Sequence, residues 1–449
     1  MKQLILITFT IMSLVTHSFS AFAQPLESIN TSSLEKPEIS AETAILIDAK
    51  TGEILFDKNS KTKMYPASIT KLMTILLALE NGNLSDTITF SHEAVYGIEP
   101  NSAHIAMQEG EQITLEQALY GILLRSANEV SSAVAEYVDG SIETFAQHMT
   151  QRAKELGCET TNFVNANGLF DENHYTSAYD MSLIAKELLK QDAFVEMMGT
   201  TYYEIPPTNK QSETRYLYGQ HQMLNKNSTY YYEYATGGKT GYVTEALNTL
   251  VTYAKKGDTE LISVVLKCNG AQHYVDTKAL FEYGFTNFET TKVFSATDYT
   301  NTVEVLETYK NKTSSLGTIT VAPAEDFYKT VPVGTTLSDV EIELNSPQTI
   351  NAPITEGEEI GTITVTSANE TIATVPLLAQ QTIQETSEET RLAQEKEARD
   401  KLIKTIRNIF LGILLFLIIL FSITRTIGHY KRKQRKKRRA LQRNRNRRH

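Results

Sequence analysis

Cysteine is scarce in this sequence of 449 residues, which contains only Cys158 and Cys268. Two cysteines exclude a disulfide scaffold, and their separation matches no metal-binding spacing such as Cys-x-x-Cys. We therefore expect no metal site and no cofactor. One disulfide bridge remains open, but two buried thiols are the simpler interpretation. Glycine and proline are also few, at 22 and 11 residues, which excludes a collagen-like or low-complexity chain.

Acidic residues are absent from residues 431–449, which contain 12 lysines and arginines. The formal net charge of the chain is -10, so the remainder carries -22. Such an acidic body argues against nucleic-acid binding. A hydrophobic content of 41% excludes wholesale disorder. The length predicts two or three domains at roughly 150 residues each.

The N-terminus has the pattern of a secretory signal peptide over residues 1–23. A positively charged start precedes the mostly apolar run Leu4–Val15, and Ala21-Phe22-Ala23 fits the small-x-small cleavage pattern. The mature chain is predicted to begin at Gln24 with a polar linker over residues 24–38. No cysteine lies near the predicted cleavage site, which argues against a lipoprotein anchor.

The C-terminal region has the pattern of a membrane anchor. Ile409–Ile423 is apolar on nearly every face, and the span lengthens to residues 406–427 if Arg407 and Arg425 reach toward the interfaces. A helix lying on a membrane surface needs a polar face, which this run lacks. Excess lysine and arginine mark the cytoplasmic side, so the basic tail over residues 428–449 is expected inside the cell. The acidic body of the chain is then expected outside.

Between these ends, the pattern predicts one α+β domain over residues 39–290. Two short apolar runs flank Ala49-Lys50-Thr51-Gly52 and predict a β-hairpin. Two more strands are expected on either side of Gly257-Asp258, so strands open and close the domain and can pair in one sheet. The helices predicted between them are Lys71–Leu79, Leu115–Leu124, Val130–Val138, Ile142–Leu156 and Ala178–Lys190.

Residues 300–384 have a different sequence pattern, in which short β-rich segments alternate with turn residues. This pattern predicts a small all-β sandwich domain. Residues 385–405 are charged with helical spacing, and we expect them to form a solvated stalk that leads to the membrane helix.

The first motif with chemical meaning is Ser68-Ile69-Thr70-Lys71, at the start of the predicted buried helix. A spacing of three places the hydroxyl and the amine on one face, one turn apart. The helix N-terminus favours developing negative charge, and burial lowers a lysine pKa so that a neutral amine can activate the serine. Ser-x-x-Lys alone is a weak signal, because a helix cap followed by a surface lysine has the same pattern.

Two further motifs follow, Ser126-Ala127-Asn128 between two predicted helices and Lys239-Thr240-Gly241 after two glycines. In an extended turn, residues i and i+2 point the same way, so Ser126 and Asn128 are expected to face one ligand. On a strand edge, a lysine and a hydroxyl can hold a carboxylate, while a glycine lets a substrate approach. Each motif alone is also an ordinary turn. In this order and context, the three are those of penicillin-binding proteins and class A β-lactamases.

The sequence resembles the bacterial serine D-alanyl-D-alanine carboxypeptidases, the low-molecular-weight penicillin-binding proteins of peptidase family S11. The resemblance covers about residues 40–290 and rests on YPASITKLMTILLALE, EGEQITLEQALYGILLRSANE, NANGLFDENHYTSAYDMSLIAKELL and GGKTGY. NAPITEGEEIGTITV and TIATVPLLA resemble the β-rich domain that follows in that family. The resemblance implies a penicillin-binding/β-lactamase-like antiparallel sheet with helices, then a small all-β domain and a C-terminal transmembrane helix.

The resemblance also implies roles for individual residues. Ser68 is the acylated nucleophile, Lys71 accepts its proton, and the Ser126 hydroxyl passes protons to the leaving D-alanine. The backbone N–H groups of Ser68 and Tyr242 form the oxyanion hole. The implied partners are a peptidoglycan stem pentapeptide as substrate, β-lactam antibiotics as inhibitors and the cytoplasmic membrane. The implied substrate-binding residues are Asn128, Lys239, Thr240, Gly241 and Tyr242.

The chain departs from the family pattern at three places. Gly238 stands where an apolar residue is usual, Glu129 where aspartate is commoner, and Val243–Leu247 where an Ala-Gly pair is usual. None of these changes removes a catalytic atom. Two alternatives stay open: a β-lactamase, although we find no glutamate motif for rapid deacylation, and a non-catalytic cell-wall-binding protein.

Overall fold

The computed structural model describes residues 35–335, 340–367 and 370–445. The predicted signal peptide, most of the predicted linker and the last four residues lie outside this part of the chain. Contacts divide the chain into two compact units. The first takes in the chain up to Ser295 together with Glu325–Val340, and the second takes in Ala296–Ala324 and the chain from Glu341 onward.

The elements in chain order have the following bounds. Up to residue 294 they are β1 (Thr43–Asp48), β2 (Ile54–Lys58), α1 (Lys71–Asn81), β3 (Thr87–Thr89), α2 (His92–Tyr96), β4 (Gln112–Thr114), α3 (Leu115–Arg125), α4 (Asn128–Asp139), α5 (Ile142–Glu155), α6 (Ala178–Leu188), α7 (Asp192–Met197), β5 (Tyr202–Ile205), β6 (Arg215–Tyr218), β7 (Ala235–Val243), β8 (Leu247–Lys256), β9 (Thr259–Cys268), α8 (Gln272–Asn287) and β10 (Phe288–Phe294). The rest are β11 (Asn301–Tyr309), β12 (Lys312–Pro323), β13 (Phe327–Pro332), β14 (Val340–Asn345), β15 (Thr349–Asn351), β16 (Glu359–Ser367), β17 (Glu370–Ala379) and α9 (Glu388–Arg445).

The central sheet of the first unit has five antiparallel strands in the order β2-β1-β9-β8-β7. Its opening and closing strands pair directly, with Ile45 opposite Val264, which confirms the sequence expectation. Alternate residues of β1 enter different cores: Ile45 packs in the cluster that includes α1 and α6, and Leu46 packs in the cluster that includes α8. The sheet is therefore covered on both faces, which explains why the middle of β1, residues 44–47, is continuously apolar.

The helical layer follows the predicted segments closely. α1 is buried over its first eight residues, from Lys71 to Ala78. α3 begins with a capping box in which Thr114 and Gln117 each accept a hydrogen bond from the other's backbone N–H. α4 is capped at its C-terminus by Gly140, whose φ of +77° suits a left-handed helix end. Cys158 and Cys268 are both buried free thiols, and burial raises the pKa of Cys268 to about 12.

The second unit is built on one six-stranded sheet in the order β14-β16-β17-β12-β11-β15. Its core is formed by alternate apolar residues of these strands, which confirms the all-β prediction. The strand β13 instead pairs with β10 in the first unit, where the Thr330 N–H donates to the Glu53 carboxylate at 2.7 Å. The buried core residues of the sheet include Val303, Val305, Ile319, Val321, Ile363, Val365 and Leu377.

The helix α9 continues from the charged stalk through the apolar run in one piece. Near its start, Arg391 pairs with the Glu307 carboxylate of β11, and Lys310 pairs with Glu395 at 2.7 Å. Side chains from Ile409 to Ile423 are exposed along the helix. Within the described residues, this is the one helix long and apolar enough to cross a membrane.

Candidate active site

Ser68 lies in a 3-10 turn, Ala67–Thr70, which leads directly into α1. Strands β7 and β8 hold this turn in place. The Thr249 hydroxyl donates to the Pro66 carbonyl at 2.8 Å, and a Cβ on Gly241 would lie 2.8 Å from the Ser68 nitrogen. Ala67 has a φ of +51°, an uncommon conformation for a residue with a side chain. The turn therefore presents the serine hydroxyl from a strained backbone packed tightly against β7.

The Lys71 side chain is fully buried and reaches the serine one turn earlier. Its Nζ lies 3.0 Å from Ser68 Oγ and donates to Asn128 Oδ1 at 2.7 Å and to the Asn167 carbonyl oxygen. Amide and carbonyl oxygens only accept hydrogen bonds. A neutral amine therefore directs its two N–H bonds at these oxygens and its lone pair at the Ser68 hydroxyl.

The protonation state of Lys71 depends on its surroundings. Burial has the largest effect and lowers the pKa of Lys71 well below its ordinary value. The positive charge of Lys239 lowers this pKa further, whereas the negative charge of Glu129 raises it and offsets part of the shift. Glu129 is itself buried, which raises its pKa, and its Oε1 accepts from the Ile105 N–H at 2.7 Å. The burial that the sequence pattern predicted for Lys71 is present, and it favours the neutral amine that a proton acceptor requires.

The motifs did not identify Asn167, whose backbone carbonyl is a partner of Lys71. Asn165 shapes this turn, since its Oδ1 accepts from the Gly168 N–H at 2.7 Å. Gly168 has a φ of +81°, and a Cβ there would lie 2.0 Å from the Ala67 carbonyl oxygen, so the turn requires glycine. A backbone carbonyl has no side-chain signature, and the available sequence signal is the Asn-x-Asn-Gly turn itself.

The second motif reaches the site by a different geometry from the one expected. Ser126 is the C-cap of α3 with a φ of +57°, and Asn128 is the first residue of α4, so the expectation of an extended turn is wrong. A helix ending in a left-handed residue followed at once by a new helix turns the chain more sharply than an extended turn does. The Ser126 hydroxyl nevertheless accepts from Lys239 Nζ at 3.0 Å, while Asn128 contacts Lys71.

The third motif lies on β7, the edge strand of the central sheet, as predicted. Lys239 is buried, and its Nζ donates to Ser126 Oγ and, at 2.8 Å, to the Thr240 carbonyl oxygen. Burial lowers the pKa of Lys239 to about 7. The Lys239 amine can therefore gain or lose its proton close to neutral pH.

The unusual glycine before this motif has a packing reason. A Cβ on Gly238 would lie 2.5 Å from His221 Nε2 and 2.3 Å from the Val251 carbonyl oxygen. His221 is buried and donates or accepts a hydrogen bond with the Thr252 hydroxyl at 3.0 Å. The buried imidazole occupies the space that an apolar side chain at position 238 would need.

Residues from all three motifs line one cavity of about 300 Å³. Ser68, Ser126, Thr240, Gly241 and Tyr242 line it. Lys71, Asn128 and Lys239 join the same cluster through the hydrogen bonds described above, so the structure brings all eight predicted site residues together. Further lining residues come from segments without a motif, and the sequence analysis missed them: Ala103, Gln220, Asn248, His273 and Tyr274.

Fold and site together define a serine hydrolase of the acyl-enzyme type, with a lysine beside each of two serines. Comparisons with known proteins agree with this class. A family model described as D-alanyl-D-alanine carboxypeptidase matches residues 30–270, and one described as penicillin-binding protein 5, C-terminal domain, matches residues 288–385. The chain belongs to the D-alanyl-D-alanine carboxypeptidase family, as its motifs predicted.

Individual relatives extend the similarity over most of the chain. D-alanyl-D-alanine carboxypeptidase DacF of Bacillus subtilis is 33% identical over 388 residues, which covers 85% of this chain and 94% of that protein. DacA of Escherichia coli is 28% identical over 78% of this chain and 85% of its own length. Among solved structures, penicillin binding protein 5 from Haemophilus influenzae has a TM-score of 0.62 at 26% identity and covers 78% of this chain and 100% of its own.

Proposed function

We propose that the protein is a serine-type D-Ala-D-Ala carboxypeptidase that removes the terminal D-alanine from peptidoglycan stem peptides and is acylated by penicillin. One observation carries the proposal: Ser68 with Lys71 and Ser126 with Lys239 form two serine–lysine pairs at one cavity. Family membership supports it, because the relatives DacF and DacA are named D-alanyl-D-alanine carboxypeptidases.

In the proposed acylation step, Lys71 takes the proton of the Ser68 hydroxyl as its oxygen attacks the carbonyl of the penultimate D-alanine. The oxyanion of the tetrahedral intermediate is held by the backbone N–H groups of Ser68 and Tyr242. The proton on Lys71 then passes through the Ser126 hydroxyl to the amine of the leaving D-alanine. The C–N bond breaks, and an ester on Ser68 remains for water to hydrolyse.

Substrate binding in this proposal depends on the floor and the β7 edge of the cavity. Lys239 and the Thr240 hydroxyl hold the terminal carboxylate, since a charged donor and a hydroxyl together suit an anionic group. Gly241 lets the substrate backbone lie against the strand, and Asn128 holds the amide side. A β-lactam offers a carboxylate and a strained amide in the same arrangement and acylates Ser68.

We also propose that α9 anchors the protein as a single pass, with the catalytic unit outside the cell and the basic tail inside. The exposed apolar run Ile409–Ile423 supports membrane insertion, and the 12 lysines and arginines after it support the orientation. A signal peptide over residues 1–23 is part of this proposal. Protease added to intact cells is expected to remove the catalytic unit and spare a tag at the C-terminus.

The activity is tested with the full chain in detergent and an N-acyl-Lys-D-Ala-D-Ala peptide, with D-alanine release as the readout. Wild-type protein is expected to release D-alanine and to be labelled by fluorescent penicillin. Ser68→Ala is expected to lose both signals, while Ser212→Ala, a change at an exposed serine, keeps them. Release that persists in Ser68→Ala contradicts the nucleophile assignment.

A second candidate is transfer of the acyl group to an amine in place of water. The observation that favours it is similarity to a structure titled Streptomyces K15 DD-transpeptidase, at 26% identity and a TM-score of 0.52 over 56% of this chain. An added amine acceptor, such as glycine, distinguishes the two, because a transpeptidase yields the new peptide bond. Rapid penicillin turnover, in contrast, would favour a β-lactamase over both.

A further inference from the structure

The hairpin of β5 and β6 carries three exposed tyrosines on its outer face. Tyr202, Tyr216 and Tyr218 are 41%, 58% and 60% exposed. Tyr202 lies opposite Tyr218 across the strands, with ring centroids 5.1 Å apart, and it stacks at 6.5 Å with Tyr216 at an interplanar angle of 9°. The three rings therefore form one continuous aromatic surface, which we call the tyrosine face.

The hairpin does not need the tyrosine face in order to pack. Because side chains alternate along a strand, Ile205 and Leu217 point the other way and are buried in the core. Tyr203, on this inner side, stacks on Tyr120 of α3 at 3.9 Å. Three neighbouring aromatic rings left in solvent on a well-anchored hairpin indicate a binding surface.

The tyrosine face is continuous with the wall of the active-site cavity. Arg125, which directly precedes Ser126, donates to the Tyr218 carbonyl oxygen at 3.4 Å. Two residues after Tyr218, Gln220 lines the cavity. Two residues of chain span at most roughly 7 Å, so the backbone of Tyr218 lies within that distance of the backbone of Gln220. A ligand that leaves the cavity past Gln220 therefore comes close to the hairpin that carries the tyrosine face.

The chemistry of the face suits a sugar. The C–H bonds on one face of a pyranose ring carry a small positive charge and pack on the negative face of an aromatic ring. Sugar hydroxyls need polar partners at the edge of the rings, and Glu204 lies on the same outer side, where its carboxylate accepts from the Tyr202 hydroxyl. Tyrosine provides a rigid, amphipathic contact area at low entropic cost.

We propose that the tyrosine face binds the sugar rings of the glycan strand from which the stem peptide branches. This inference rests on the proposed carboxypeptidase function. In a stem pentapeptide, four residues separate the sugar from the scissile bond, which is roughly 13–14 Å of extended chain. The sugar end therefore emerges beyond a cavity of about 300 Å³, where the face lies beside the cavity wall.

The test compares two substrates for the full chain in detergent: a free N-acyl-Lys-D-Ala-D-Ala peptide and pentapeptide-rich polymeric peptidoglycan. Tyr216→Ala/Tyr218→Ala is expected to lower kcat/KM on peptidoglycan about tenfold through KM, as the loss of two aromatic contacts implies, and to leave the free peptide within about twofold. Tyr216→Phe/Tyr218→Phe keeps the rings and is expected to restore wild-type kinetics on both substrates. Tyr96→Ala removes an exposed tyrosine outside the face and is the matched control.

A binding measurement separates this inference from the proposed function. Glycan strands stripped of peptide are expected to co-sediment with the wild-type chain and not with Tyr216→Ala/Tyr218→Ala. If wild-type protein cleaves neither substrate, the proposed function fails and this sedimentation alone decides the inference. An equal fall in kcat/KM on both substrates places the peptide on the tyrosines and overturns the glycan assignment. Unchanged kinetics on both, or absence of glycan binding by wild type, also overturns it.

Discussion

Two regions of the first unit bury basic side chains in different ways. At the floor of the cavity, Lys71 and Lys239 hydrogen-bond to hydroxyl, amide and carbonyl oxygens, and the described residues give neither of them an ion pair. Beside the loop at Ile105, Arg215 meets the Glu111 carboxylate at 2.6 Å, with side chains only 9% and 0% exposed. The first region therefore contains lysine amines without an ion-pair partner in the part of the chain described, and the second contains an arginine–carboxylate ion pair.

The difference separates a charge that can change from a charge that cannot. Burial lowers the pKa of both lysines, that of Lys239 to about 7, so each amine loses its proton more readily than an ordinary lysine does. Burial also acts to raise the pKa of Glu111, but its hydrogen bonds, above all those from Arg215, outweigh that effect and hold its pKa below the ordinary value. Arg215 additionally donates to the Ile105 carbonyl oxygen at 3.0 Å. The Arg215–Glu111 ion pair therefore stabilises the loop and keeps its charges. Lys71 and Lys239 have no ion-pair partner among the described residues and can gain or lose a proton.

The largest predicted effect follows from replacing the titratable amine with a permanent charge. Lys71→Arg keeps the positive charge but offers no neutral form, since guanidinium does not lose its proton in proteins. The rate of Ser68 acylation by fluorescent penicillin is expected to fall about 10³-fold, the range of a lost general base. Stopped-flow or timed gel labelling measures this rate.

The matched control for that variant is Lys186→Arg, at a partly buried lysine outside the cavity whose pKa burial also lowers. It is expected to acylate at the wild-type rate. Wild-type acylation by Lys71→Arg would mean that another group takes the serine proton, and the distinction drawn between the two regions would fail.

The next effect concerns stability. Arg215→Met leaves the buried Glu111 carboxylate without its cation, and breaking a buried pair in this way costs about 3–5 kcal/mol. Thermal unfolding of the full chain in detergent, followed by circular dichroism, measures the loss. Glu111→Gln/Arg215→Met removes both charges and is expected to recover part of it.

An exposed pair is the control for burial. Lys61 and Glu159 lie 3.2 Å apart with side chains 57% and 66% exposed. Glu159→Gln is expected to change the free energy of unfolding by less than about 0.5 kcal/mol, as for most surface pairs. If Arg215→Met costs no more than this, burial does not distinguish the two pairs.

The sequence predicted those parts of the site whose chemistry lies in local spacing. Ser68 and Lys71 share a helix face because they are one turn apart, and the Lys239 motif needs only an edge strand. The partners that tune the site come from distant segments, such as the Asn167 carbonyl and the Glu129 carboxylate, and their contacts depend on tertiary packing. The same limit applies to the fold. Periodicity predicted α1, α3, α4, α5 and α6 and the two hairpins of the central sheet, but it did not predict α8. No local pattern indicates that β13 pairs with β10.

The last predicted effect is a pH dependence at Lys239. In the free enzyme its pKa is about 7, so the amine is charged below pH 7 and loses its proton as the pH rises. Because a neutral amine holds a carboxylate weakly, kcat/KM for N-acyl-Lys-D-Ala-D-Ala is expected to fall toward tenfold per pH unit above pH 7, mainly through KM. Lys239→Arg remains charged and is expected to lack this alkaline limb, whatever its absolute rate.

The C-terminal amide of the same peptide has no carboxylate, so the pH profile of the wild-type enzyme on this amide is expected to lack the alkaline limb as well. An alkaline limb that persists in Lys239→Arg would assign the titration to another group, and Lys239 would then belong with the permanent charges of the structure.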